Sequence, residues 1–217
     1  MSLRAAWEHL YPRSPSAPAG VDSHLKGEAN SRDESGSATG DHALMKEYQE
    51  FVACQFNAQR ESGRPGEIFQ NRNTDHAKVV IPYLFIGAKK WVHLLTRTAN
   101  AQVYASEEVI TAAKNFLQEY PASEIKVLSE KKFDRAVHAF FIAIDENASM
   151  RDRTHLAFVP EDVQRDYKCN FGINDFGDYR FEASRNTEEA MVQFGERGFV
   201  AELERIFQDL FSASTKK

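Results

Sequence analysis

Helical and strand periodicities alternate through the middle of this chain, and a run of short strands and an amphipathic helix follow. That order predicts a mixed α/β fold, one central sheet flanked by helices. The length, 217 residues, suits one domain with a sizeable core plus an appended arm. The composition, 42% hydrophobic and 27% charged, marks most of the chain as globular.

The expected domain begins at Asp41. Before it, residues 12–40 are rich in Ser, Pro, Gly, Ala and charge, and Val21 and Leu25 are the only large aliphatics. Such a stretch buries too little apolar surface to offset its ordering entropy, so residues 1–40 read as a disordered arm. Within it Leu3, Trp7, Leu10 and Tyr11 have helical spacing and could form a short docking helix.

Asp41 is placed to cap a helix through about Glu61, with Leu44, Tyr48, Phe51 and Val52 on one face and Gly63 beyond its end. Residues 64–73 read as a loop. A second helix starts near Thr74, is apolar almost all round and therefore buried, and is expected to be kinked or interrupted at Pro82. WVHLLT (91–96) reads as a strand. Ser106 caps a helix stacking Val109, Ala113, Phe116 and Tyr120. A strand at 125–128 and a helix at about 132–144 follow, then short strands near 155–159, 167–173, 178–182 and 190–194. A helix over 197–211 closes the chain with Phe199, Leu203, Ile206 and Leu210 on one stripe. The early alternation implies parallel pairing through crossovers, and the later hairpins add antiparallel strands.

Several function classes lose support from the residues alone. The longest apolar run, Val79 to Gly87, is far short of the roughly 20 residues that cross a bilayer, and the N-terminus has no apolar signal core. No membrane association and a cytoplasmic location are expected. Two cysteines, Cys54 and Cys169, give no disulfide framework. The seven histidines are scattered without i, i+4 pairs, so no metal site is expected, and no glycine-rich phosphate loop or nucleophile elbow points to a cofactor. A net charge of −5 argues against general polyanion binding. One basic stretch stands out between Arg64 and Asn100, where Arg64, Arg72, Lys78, Lys89, Lys90 and Arg97 face two acidic residues; it is the candidate surface for nucleic acid or an acidic partner.

The informative region is Tyr167 to Phe194, YKCNFGINDFGDYRFEASRNTEEAMVQF. Lys168-x-Asn170-x4-Asp175, followed by Ser184 and Asn186, resembles the signature of the phospholipase D-like superfamily. There a His-x-Lys-x4-Asp string on a late strand precedes a Gly-Ser-x-Asn-like element. The resemblance extends over about Glu67 to Phe211 by element order. It implies a phospholipase D-like fold, and for a single-motif chain a homodimer.

In that family the His attacks phosphorus, Lys and Asn bind phosphate oxygens, and the Asp supports the His. Here Lys168 stands at the His position and Asn170 at the Lys position, and the second element sits one residue late. Without the His no phosphohistidine forms there, and eight acidic residues face four basic ones between Glu161 and Glu189, the wrong sign for a phosphodiester pocket.

The resemblance so implies a degenerate, non-enzymatic member, an interaction or regulatory subunit with a protein partner, of the kind that bacterial defence loci and mobile elements encode. The alternatives are a phosphodiesterase or nuclease with a displaced histidine, His138 or His155, or a nucleic-acid-binding module using the basic stretch. His138 follows Asp134 by four residues, and His155 opens a strand.

Overall fold

A computed structural model of the chain describes residues 37–161, 163, 169–183 and 189–215. Residues 1–36 of the expected arm, its docking residues among them, lie outside these, as do Lys168, Ser184 and Asn186, while residues 37–40, expected to be disordered, are helical. Two compact units are separated at Lys46/Glu47. Of the first only the beginning of α1 is described; the second, Glu47–Lys217, holds the sheet.

The first helix, α1 (Ser37–Ser62), begins a turn before Asp41. The stretch read as a loop contains a three-residue strand, β1 (Phe69–Asn71), too short to leave a periodic signature and held by its pairing with β7 (Ala190–Gln193). Helix α2 (Thr74–Gly87) is capped by the Asn73 side chain, which accepts from the His76 N–H at 2.8 Å. It runs through Pro82 as one element, against the expected interruption. Pro82 is buried among Ile81, Leu84 and Phe85, so tertiary packing overrides the missing N–H.

Strand β2 (Trp91–Thr96) leads to the one-turn helix α3 (Ala101–Tyr104), which the sequence reading did not separate, and then to α4 (Glu107–Glu119) capped by Ser106 as expected. After β3 (Glu124–Ser129), the helix expected over 132–144 is divided. A 3-10 turn at Arg135–Val137 precedes α5 (Ala139–Asp145), because the Asp134 carboxylate accepts from the Ala136 N–H and starts a new turn there. The short α6 (Ala148–Arg151) leads into β4 (Thr154–Phe158). Strands β5 (Asn170–Asn174) and β6 (Tyr179–Glu182) form a hairpin, β7 continues it, and α7 (Arg197–Thr215) closes the domain.

The seven strands lie in the order β1-β7-β6-β5-β2-β3-β4. β2, β3 and β4 are parallel, while β5, β6, β7 and β1 are antiparallel to their neighbours, as the mixed α/β expectation required. The sheet changes character between β2 and β5.

Because strand side chains alternate between faces, each strand feeds two cores. Val92 and Leu94 of β2 pack under Leu84, Phe85, Phe116 and Phe141 from the helices α2, α4 and α5. Trp91 and His93 point to the other face, where His93 is stacked between Trp91 and Phe207 of α7 at centroid distances of 4.3 and 4.6 Å. Phe171 and Phe181 meet α7 through Phe207 and Phe199. A third cluster, Val52, Phe56, Phe69, Val80, Val192 and Phe194, ties α1 and α2 to the β1–β7 edge. Among the described residues no helix is long and apolar enough to cross a membrane.

Candidate functional site

The hairpin β5–β6 carries a row of polar residues on one face, the face toward α2. Asn170, Gly172 and Asn174 alternate along β5 and stand opposite Glu182, Arg180 and the start of β6. Gly172 is required here by close approach: a Cβ would lie 2.6 Å from Leu84 Cδ1 and 3.0 Å from Leu94 Cδ2. Its missing side chain lets the helix settle on the strand.

At the start of β5 the Asn170 amide donates to Glu182 Oε1 at 2.9 Å. Glu182 Oε2 accepts from Arg180 Nη1 at 3.3 Å, and Arg180 Nε donates to Asn71 Oδ1 at 2.5 Å. The Arg180 and Glu182 side chains are only 11% and 13% exposed, so this ion pair is desolvated and must hold its geometry through those hydrogen bonds. The chain of bonds is incomplete. Asn170 Oδ1, Asn71 Nδ2 and the Tyr48 hydroxyl are buried without hydrogen-bond partners among the described residues. Burial pushes the Tyr48 hydroxyl up to about 12, with Asn71 and Arg180 pulling it back, so it stays protonated and polar.

Asn170, Arg180 and Glu182 of this group form the floor of a cleft of about 190 Å³. Ala77 and Ile81 of α2 and Val103 and Tyr104 of α3 make its walls, and Thr74, Arg97, Thr98 and Asn100 surround its mouth. The cleft lies where β2 ends and β5 begins, at the change from parallel to antiparallel pairing. Its mouth is built by caps: the side-chain oxygens of Asn73 and Asn100 accept from the His76 and Gln102 N–H groups and start α2 and α3 there. Burial raises the Tyr104 hydroxyl above its ordinary value, with Arg180 and Thr96 pulling it back.

The opposite end of the hairpin is built differently. Asn174 Oδ1 accepts from the N–H groups of Phe176, Gly177 and Asp178 at 3.0 to 3.2 Å, closing the turn, while its amide donates to Leu84 O and Asp178 Oδ2, both at 2.8 Å. Asp178, wholly buried, takes both arms of Arg60 and the Gly195 N–H. Asp175 also belongs to this end. Its Oδ1 accepts from the N–H groups of Lys89, Lys90 and Trp91 at 2.9, 3.0 and 3.4 Å, tying the α2–β2 connection to the hairpin.

Asn170 and Asp175, neighbours in the motif, therefore stand at opposite ends of β5, roughly 15 Å apart along the strand. The structure does not bring Asp175 into the cleft. The two candidate histidines are also elsewhere. His138 donates from Nε2 to the Ala99 carbonyl at 2.7 Å and is packed by Phe133 and Phe141. It holds Ala99 in a left-handed conformation (φ 45°) behind the cleft mouth rather than facing in, and Asp134 caps the 3-10 turn instead of orienting it. His155 lies on the edge strand β4, half exposed, 3.8 Å from Glu124 at the beginning of β3; that is the end of the sheet away from the cleft.

The basic stretch is divided as well. Arg97 lines the cleft mouth. Arg72 donates to Gln70 beside it, and Lys78 is paired with Asp75 at 2.8 Å. Lys89 and Lys90 sit beyond the far end of α2, roughly 20 Å away by helix length, and Arg64 follows the end of α1 near the Gly66–Phe194 contact. These six cations do not form one surface.

Sequence reasoning missed Asn71, Arg180, Glu182 and Tyr104. The spacing Arg180-x-Glu182 on a predicted strand was the available signal, since it sets two opposite charges on one face. Asn71 was hidden because β1 is too short to read. Among the described residues no group of three or more His, Cys, Asp or Glu could hold a metal ion.

No protein-family model matches the chain, and no curated protein does. Among solved structures it is similar to the archaeal chromatin protein TrmBL2, whose structure is described as showing a novel mode of DNA binding. The two are 12% identical, over 81% of this chain and 69% of that one, with a TM-score of 0.49. It is also similar to the polyphosphate kinase from Porphyromonas gingivalis, at 9% identity over 70% of this chain, with a TM-score of 0.44; the match spans 26% of the kinase. At these values neither likeness bears on function.

Proposed function

We propose that this chain is a catalytically degenerate phospholipase D-like domain that serves as an interaction or regulatory subunit. The observation that carries the reading is the floor of the cleft beside Asn170. At the place where the resemblance expects a phosphate-binding lysine there is an amide, and it is bonded to the carboxylate of Glu182. A carboxylate on that floor opposes a phosphodiester, and Arg180, the cation next to it, is already paired. The residue two positions earlier is Lys168, whose ammonium has no lone pair for attack on phosphorus. His138, spent on the Ala99 carbonyl, and His155, at the other end of the sheet, are poorly placed to replace the missing imidazole.

The test is hydrolysis of bis(p-nitrophenyl) phosphate and of single- and double-stranded nucleic acid by the full chain, at high protein concentration and with chelator present. No turnover is expected. Metal-independent turnover that His138→Ala or His155→Ala abolishes would overturn the reading in favour of a displaced-nucleophile enzyme.

A further inference from the structure

The floor of the cleft is neutral on balance, since Arg180 is paired with Glu182, the walls are apolar, and polar groups there are in want of partners. Those three properties specify a ligand. Asn170 Oδ1 is a buried acceptor with no donor. Arg180 uses Nε on Asn71 and Nη1 on Glu182, and its Nη2 has no partner among the described residues. An unsatisfied acceptor and an unused donor thus lie side by side, joined through the Glu182 carboxylate. A buried polar atom left unpaired costs about 1–3 kcal/mol, a cost that a bound ligand can remove.

An anionic group on the floor would meet the Glu182 carboxylate, so the floor itself disfavours phosphate, while Arg97 stands at the mouth. Above the floor, Ala77, Ile81 and Val103 offer apolar contact, and the Tyr104 ring adds a flat one. A dry cavity of about 150 Å³ holds one benzene ring, so about 190 Å³ suits a single heterocyclic ring system.

We infer that this cleft binds an uncharged planar heterocycle of the nucleobase class. A donor on its edge meets Asn170 Oδ1, and the adjacent acceptor meets Arg180 Nη2. Thr98 and Asn100 at the mouth are then placed for the hydroxyls of an attached ribose. The inference rests on the non-enzymatic reading, and gives that reading a ligand through which a regulatory subunit would respond.

The test is calorimetric titration of the full chain with adenosine, guanosine, cytidine and uridine, each to about 1 mM, where even weak sites fill. Inorganic phosphate serves as competitor. Saturable binding of at least one nucleoside is expected, weakened about tenfold by Asn170→Ala, as for loss of one good hydrogen bond, and unmoved by phosphate. Ile81→Phe, which narrows the cleft from its apolar wall, is expected to weaken it as well and serves where Asn170→Ala fails to fold. Absence of binding for all four nucleosides overturns the inference, as does unchanged affinity in a folded variant or displacement by phosphate. Those results leave the non-enzymatic reading standing, whereas diester hydrolysis would remove that reading whether or not a nucleoside binds.

Discussion

The two ends of the β5–β6 hairpin are made from the same kinds of residue, amides, carboxylates and an arginine, yet they are finished differently. At the turn end Asn174, Asp175 and Asp178 are bonded to backbone N–H groups, to a carbonyl, to Arg60 and, between Asn174 and Asp178, to one another. At the other end Asn170, which lines an open cleft, and Asn71, bonded to Arg180 behind it, each keep a buried atom without a partner among the described residues. Completed polar networks hold structure, and incomplete ones beside a cavity mark a site.

Stability measurements by urea unfolding can break that comparison. The largest effect is expected for Asp178→Ala, which strands Arg60 and the Gly195 N–H; one broken buried pair costs about 3–5 kcal/mol. A loss below about 1 kcal/mol would show that the turn end is not the structural one.

The next effect concerns His93, an unpartnered polar group with no cavity. Both of its ring nitrogens are buried without partners between Trp91 and Phe207, and burial, helped by the nearby Lys126, lowers its pKa to about 3. Below about 6.5 the unfolded chain takes up a proton that the folded chain refuses, so stability falls as pH drops from about 6.5 toward 3 and is unaffected above that window. One such group amounts to about 2 kcal/mol between pH 7 and pH 5. His93→Phe, which keeps the stack, is expected to remove that part of the slope. An unchanged slope would show that His93 does not carry it.

Smaller losses follow. Asp175→Ala is expected to cost about 1–2 kcal/mol, the value of a cap serving several N–H groups, and to raise amide exchange at Lys89 and Lys90. Asn170→Ala should cost about 1 kcal/mol, since it loses one bond at a place already incompletely satisfied. Were Asn170→Ala to cost as much as Asp178→Ala, the two ends would be equivalent and the distinction drawn between them would fail.

Elements with long periodic stripes were legible in the sequence. Ser106 starting a helix that buries Val109, Ala113 and Phe116, and the stripe of Phe199, Leu203, Ile206 and Leu210, follow from spacing alone. The change from parallel to antiparallel pairing also followed from element order. The site was less legible because its parts are local in space and remote in sequence. Asn71 reaches Arg180 only because β1 pairs with β7, and Asn170 and Asp175 part because an extended strand carries them to opposite ends. The basic stretch failed as one surface for a related reason, since α2 lies between its two halves.

The three-residue strand β1 has one more consequence. Its pairing with β7 joins positions roughly 120 residues apart, so it closes a loop around nearly the whole domain and is entropically the dearest pairing in the sheet. β1 acts as a clasp. Until it fastens, β7 presents an open row of N–H and C=O groups to any neighbouring chain, and a nascent or truncated polypeptide that lacks Phe69 to Asn71 keeps that row exposed. Three residues that leave almost no trace in the sequence thus decide whether the antiparallel half of the sheet ends in a closed border or in a template for self-association.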